Sequence, residues 1–184
     1  MYQELDAKVS YIKGSPIRET EQMPRKVITN PIDDDWNARI RDMWWYHSND
    51  KIPFGVSPRM FELRSKLLSF GGNEVCLRPF DSDLNDILSR GQLWYSDRTV
   101  MRKGLDSACH SNSANYWHEY KNTTVICTGY ALSEDGMWRQ HTWLVQLGEK
   151  ENVICETTEA RVLYYGFALT EEESMNFWER ENVY

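Results

Sequence analysis

The chain has 184 residues, of which 41% are hydrophobic and 13% aromatic, enough apolar material for one folded domain and too much for wholesale disorder. Its formal net charge of −7 argues against nucleic acid as a partner, because phosphate binding requires clustered lysine and arginine. No apolar run approaches the roughly 20 residues that a membrane helix requires, so we expect no membrane partner either.

The cysteines and the N-terminal residues indicate in which cellular compartment the chain is expected. The first eight residues lack a basic stretch followed by an apolar core, so we expect no signal peptide. The four cysteines form no CxxC pair, which disfavours a structural zinc site. We expect free thiols in a reducing compartment such as the cytoplasm. These cysteines are Cys76, Cys109, Cys127 and Cys155.

The N-terminal part of the chain is predicted to be an arm followed by helices. Residues 1–32 hold few apolar positions and three prolines, which predicts an extended or loosely ordered arm. Residues 33–184 are predicted to form a single α+β domain. Capping residues and apolar spacing predict three helices with one short strand between the second and third. The helices run from Asp33 to about Trp45, from Pro58 to Gly71, and from Asp81 or Ser82 to Gly91; the strand is Glu74–Phe80.

The C-terminal half is predicted to be a helix followed by an antiparallel meander. Residues 108–120 are helical in pattern, with Asp106 or Ser107 as the expected cap. β-Branched and aromatic runs predict the strands, and Ser133–Gly136 is a hairpin turn. Glu171-Glu172-Glu173 is typical of a solvated helix start. The predicted strands are Thr123–Leu132, Met137–Leu147, Val153–Thr158 and, less regularly, Arg161–Ala168.

Three residues on successive predicted elements suggest nucleophilic catalysis. Cys109 begins a helix, where unpaired N–H groups and the helix dipole favour a thiolate. His141 lies between two tryptophans on a strand, and Glu156 ends the next strand, where a buried acid needs a partner. Each residue alone is equally consistent with a structural role. In order, a thiol, an imidazole and a carboxylate make a nucleophile, its base, and the group that orients the base.

Four short motifs around these residues resemble the transglutaminase-like core, whose superfamily has a papain-like fold. The resemblance covers about fifty residues, 106 to 158, and includes a separation of 15 residues between the histidine and the acid. The motifs are Cys109-His-Ser-Asn-Ser-Ala114, Thr128-Gly-Tyr130, His141-Thr-Trp143 and Glu156-Thr-Thr158.

The resemblance implies a papain-like α+β fold in which a helix carrying the cysteine packs on an antiparallel sheet. It also implies a nucleophile at Cys109, a base at His141 and an orienting acid at Glu156, with a protein, peptide or small amide as substrate and no cofactor or metal. The chain departs from the family at Glu156, where aspartate is usual, and at Ser107, where the family has glycine.

Further site residues are less firmly indicated. Gln92 and Trp94 are candidates for the oxyanion hole because both side chains carry N–H donors, and Asn112 and Trp143 are candidates to line the cleft. His110 and His118 lie two helical turns apart, too far for one metal ion, and are expected to be surface or packing residues. The departures from the family leave open a second possibility, a protein-interaction module that kept the fold without efficient catalysis. Nothing in the sequence indicates the oligomeric state.

Overall fold

The computed structural model of the chain describes residues 58–76, 81–149 and 151–182. These residues form an α+β fold whose helices pack on a curled mixed sheet. Within the described part, no helix is long and apolar enough to cross a membrane. The helices are α1 (Pro58–Phe70), α2 (Leu84–Arg90), α3 (Cys109–Tyr120) and α4 (Glu171–Asn182). The strands are β1 (Glu74–Val75), β2 (Gln92–Tyr95), β3 (Thr99–Met101), β4 (Thr124–Leu132), β5 (Met137–Gln146), β6 (Val153–Glu156) and β7 (Leu163–Ala168).

The sheet is built around the hairpin of β4 and β5. Its strand order is β2-β7-β4-β5-β6-β3, and β1 pairs separately with the start of β5. The hairpin, β7 on one side and β6 on the other are joined antiparallel, whereas β1 and β3 pair in parallel. β6 pairs only with Leu144–Gln146 of β5, and β1 only with Met137 and Trp138. Between these two short strands, the middle of β5 has an edge to which no described strand is paired.

The two faces of the sheet have different coverings. On the first, which we call the helical face, strand residues such as Ile126, Tyr130 and Leu144 pack against apolar residues from all four helices. On the second, which we call the aromatic face, Trp143 and Tyr164 are fully buried beside small and aliphatic residues from the strands. Alternation of side chains along each strand assigns His141 and Glu156 to the aromatic face, since each is an even number of residues from a member of that cluster.

Two glycines allow the central strands to approach closely. Gly129 of β4 pairs with both Gly166 of β7 and His141 of β5. A Cβ atom at Gly166 would lie 2.1 Å from the carbonyl oxygen of Thr128, and one at Gly129 would lie 2.3 Å from that of Tyr165. The β4–β7 contact next to His141 therefore requires glycine on both strands.

Most predicted elements are present, and the sheet topology is the main correction. The strand Arg161–Ala168 exists as β7, but it returns to pair with β4 instead of extending a meander, and β1 and β3 make the sheet mixed rather than antiparallel. Strands β2 and β3 were not predicted, because each is too short to show an alternating pattern. The predicted arm 1–32, the helix from Asp33, and residues 77–80 of the predicted strand lie outside the described residues.

The close approach of β4 and β7 leads to a prediction about stability. Gly166→Ala should lower the free energy of unfolding by about 2 to 3 kcal/mol, because the added methyl group meets backbone that cannot move without breaking the strand pairing. Urea denaturation followed by circular dichroism measures this change. Gly71→Ala serves for comparison: its Cβ would meet nothing within 4 Å, and only its φ of 133° opposes the substitution. We expect roughly 1 kcal/mol there, and equal losses at the two sites would show that close approach is not the cause.

Candidate active site

Helix α3 brings Cys109 to the open edge of β5. Cys109 is the first residue of the helix and is partly buried. Its thiol is within hydrogen-bonding distance of the His141 ring and of the backbone N–H of Thr142. Both residues lie in the part of β5 that neither β1 nor β6 covers. The gap between the two short strands is therefore what lets a helix end reach a sheet residue.

His141 connects the thiol to the acid. Its Nε2 donates to Oε2 of Glu156 at 2.8 Å, and the two side chains are only 3% and 0% exposed. Since Nε2 is occupied by Glu156, the ring nitrogen left to face the sulfur is Nδ1. Cys109, His141 and Glu156, which we call the triad, thus form one continuous hydrogen-bonded chain.

The carboxylate of Glu156 is fully provided with donors. Oε2 accepts from His141 and from the hydroxyl of Tyr164 at 3.0 Å. Oε1 accepts from the backbone N–H groups of Thr157 at 2.7 Å and Thr158 at 2.9 Å, and from the Thr158 hydroxyl at 3.1 Å. Glutamate is longer than the aspartate usual in the family that the chain resembles. The extra length is accommodated because the side chain turns back to accept from its own following residues.

Burial and hydrogen bonding oppose each other at the triad, and hydrogen bonding prevails. Burial disfavours the Cys109 thiolate, but hydrogen bonds from His141 and from the Thr142 N–H outweigh it and lower the pKa of the thiol. Burial likewise disfavours imidazolium at His141, yet its bonds to Cys109 and Glu156 raise the pKa of the ring. At Glu156 burial is again outweighed, chiefly by His141, and the pKa of the carboxyl is lowered. All three directions favour a thiolate–imidazolium–carboxylate arrangement.

The loop before Cys109 is tied to the strand that carries the acid. The N–H groups of Arg102 and Gly104 donate to the carbonyls of Glu156 and Thr157, at 2.7 and 2.8 Å. The side chain of Asn112, one turn into α3, then holds Leu105 by bonds to both its N–H and its carbonyl. Asn112, predicted to line the cleft, is therefore engaged by the loop.

Ser107 explains one departure from the family pattern and corrects one prediction. Its φ is 59°, in the left-handed region that favours glycine, so the position has the backbone conformation for which the family's glycine is suited. A residue in this conformation turns the chain into α3 instead of capping it. The cap position is occupied by Ala108, with no side-chain cap bond, rather than by Asp106 or Ser107 as predicted.

The other predicted site residues lie on the aromatic face. Gln92 occupies the same cross-strand row as Gly166, Gly129 and His141, at the far edge of the sheet. Trp94, two residues further along β2, packs its ring edge-on against Trp143 with centroids 5.4 Å apart. Trp143 has no exposed surface, and its ring lies parallel to that of His141. Trp94 thus contacts β5 across the two strands between them, while Gln92 stays at the edge strand and Trp143 supports His141 from the side.

Sequence reasoning missed several groups that hold the triad. Tyr164 donates to the acid but lies in a tyrosine pair on β7 that carries no local sign of this role. The N–H of Thr142 contacts the sulfur, although in the sequence Thr142 is only the middle residue of the His141-Thr-Trp143 motif. Thr157 and Thr158 follow the acid directly, and their place in the Glu156-Thr-Thr158 motif was the one available signal.

Two further cysteines and two further histidines of the described residues have structural surroundings. Cys127 and Cys155 are buried in the sheet; burial raises the pKa of Cys155 to about 11 and that of Cys127 further. His110 donates to or accepts from Thr142, and His118 stacks on Trp178 with ring centroids 4.1 Å apart. Among the described residues, no group of three or more histidine, cysteine or acidic side chains is arranged to hold a metal ion.

Comparison of the chain with protein-family models, with curated proteins and with solved structures gave no match in any of the three. The interpretation of the site therefore depends on its own geometry, and the likeness to the transglutaminase-like core remains a prediction from the motifs.

The lowered pKa of Cys109 predicts selective alkylation. At about pH 6 iodoacetamide should modify Cys109 at least roughly tenfold faster than Cys76, Cys127 or Cys155, because only the thiolate reacts, and the pKa is lowered at Cys109 and raised by burial at Cys127 and Cys155. Peptide mass spectrometry of a time course measures the four rates. In His141→Ala, Cys109 should lose its higher alkylation rate at this pH, because the main group that lowers the pKa of the thiol is gone. Similar rates at all four cysteines in the unaltered chain would contradict an activated thiol.

The positive φ of Ser107 predicts that glycine is the better residue there. Ser107→Gly should raise the free energy of unfolding by up to about 1 kcal/mol, because glycine adopts the left-handed conformation without the Cβ clash. Ser65→Gly is the matched control: the same change in the exposed middle of α1 should lower the free energy by about 0.5 kcal/mol. Urea titrations of both variants measure the difference, and a loss of stability at both positions would contradict the assignment of strain to Ser107.

Proposed function

We propose that the protein is a papain-like, transglutaminase-like cysteine enzyme that acts on amides through a thioester. The observation that carries the proposal is the hydrogen-bonded chain from Glu156 through His141 to Cys109, assembled from residues far apart in the sequence. A histidine and a glutamate with almost no exposed surface, aligned on a partly exposed thiol, are the parts that nucleophilic catalysis by cysteine requires.

In the proposed reaction the Cys109 thiolate attacks the carbonyl carbon of a carboxamide or peptide bond. The carbonyl electrons move to oxygen, and the backbone N–H groups at the start of α3 stabilise the resulting oxyanion. His141 gives its proton to the leaving nitrogen as the C–N bond breaks, and Glu156 stabilises the imidazolium until then. The products are a free amine or ammonia and a thioester on Cys109. Water then yields a carboxylic acid, or an amine yields a new amide, and the thiol is released.

Neither Gln92 nor Trp94 lies where a second oxyanion donor is needed, because β2 is three strand positions, roughly 14 Å, from β5, and Cys109 lies at the far edge of β5. Gln92 occupies the same cross-strand row as His141, with Gly166 and Gly129 between them. The ring of Trp94 is engaged with Trp143.

Hydroxylamine trapping tests the thioester without knowledge of the substrate. The protein is incubated with a tryptic digest of a mixed proteome and hydroxylamine, and peptide hydroxamates are sought by mass spectrometry. A hydroxamate at a new C-terminus indicates attack on peptide bonds, and one on a glutamine side chain indicates attack on carboxamides. Cys109→Ala should give none, because the nucleophile is lost. Glu156→Gln should reduce the yield roughly 10³- to 10⁴-fold but not abolish it, because the orienting charge matters less than the nucleophile.

The matched control is Cys155→Ala, which removes a buried cysteine of the sheet and should leave the yield unchanged. Equal hydroxamate yields from the unaltered protein and Cys109→Ala would overturn the proposal. Rapid alkylation of Cys109 with no hydroxamate from any digest would instead favour the protein-interaction module.

A further inference from the structure

Beyond the triad, the N-terminal half of α3 makes three contacts with a single residue of β5, and β4 makes a fourth. Thr142 is fully buried, and its N–H contacts the Cys109 sulfur. Its hydroxyl is 2.6 Å from Nδ1 of His110 and 3.4 Å from the hydroxyl of Thr128. Its carbonyl accepts from the hydroxyl of Ser113 at 3.3 Å.

We propose that Thr142 and His110 are positioning residues that hold the Cys109 sulfur against His141. This inference rests on the proposed function of the triad and adds to it residues that do not touch the substrate. Since Cys109 and His110 are adjacent on α3, and His141 and Thr142 are adjacent on β5, the His110–Thr142 bond fixes the spacing of the reactive pair beside it.

The direction of the side chains supports this division of roles. Residues 141 and 142 point to opposite faces of the sheet, so His141 reaches Glu156 on the aromatic face while Thr142 faces the helices. On the helical side His110 is also held, because its ring lies 5.9 Å from that of Phe177 in α4. Three successive contacts thus hold the sulfur at the edge of β5: Phe177 of α4 with His110, His110 with Thr142, and Thr142 with Cys109.

The test uses the alkylation rate of Cys109, which needs no substrate. Thr142→Val removes the hydroxyl but keeps the shape and the backbone N–H, and His110→Phe removes Nδ1 but keeps a ring against Phe177. Each should slow modification of Cys109 by iodoacetamide at about pH 6 by roughly tenfold, because a charge-assisted hydrogen bond to the thiolate is loosened. Thr142→Ser and His110→Asn, which keep a hydrogen-bonding atom at these places, should recover most of the rate.

Thr124→Val is the matched control. Thr124 is a buried threonine of β4 whose hydroxyl donates to the carbonyl of Tyr120, at the opposite end of α3. Its replacement removes a comparable bond between sheet and helix far from Cys109, and the alkylation rate should stay unchanged. Equal slowing in Thr124→Val and Thr142→Val would show a general loosening of α3 and overturn the inference.

The outcome separates this inference from the proposed function. Suppose that the unaltered protein shows fast alkylation and forms hydroxamates, and that Thr142→Val and His110→Phe keep the same rate and yield. The positioning role is then wrong, and the proposed function still holds. If Cys109 of the unaltered protein is no faster than the other cysteines, the triad itself fails, whatever the variants do. Urea titration of each variant confirms that the measured rates belong to folded protein.

Discussion

The buried hydrogen bond between His141 and Glu156 is the contact on which the arrangement of the site depends. A carboxylate without exposed surface is costly unless donors surround it, and here they come from β5, β7 and the two residues after the acid. The side-chain bond lies just beyond Leu144 and Cys155, the last paired residues of β5 and β6 on that side. It therefore continues the contact of the two strands after their backbone pairing has ended, and it leaves the edge of β5 free for Cys109.

The aromatic face gives His141 a rigid setting. Trp143 stacks beside the imidazole, Tyr164 contacts both rings, and Trp94 packs against Trp143 from the edge strand β2 on the same face. Small residues on β4 and β7 make room for these rings, and Gly129 directly opposite His141 is one of them. The same residues that form a core on this face thus restrict the orientation of the imidazole, which general acid–base chemistry needs.

Much of this could be predicted from the sequence. Apolar spacing predicted α1, the helical pattern of residues 108–120 predicted α3 although not its cap, and β-branched runs with the Asp135-Gly136 turn predicted the β4–β5 hairpin, because these signals are local. The order of thiol, imidazole and acid indicated the three residues that the structure brings together. The partners of β7 and β3 could not be predicted, since pairing between strands distant in sequence leaves no local pattern. Thr142 and Tyr164 were missed for the same reason: their roles arise from contacts across the sheet.

The loop from Arg102 to Ala108 is bonded on one side to the strand of the acid and continues on the other into the helix of the nucleophile. It contains a residue in the left-handed conformation and is largely exposed, two features of segments that open locally before the core does. Local opening of this segment would free the start of α3 and with it the sulfur, while the carboxylate would keep its donors from His141, Tyr164 and the two threonines that follow it. The order of a few solvated residues would then set the reactivity of the thiol without any change in the sheet.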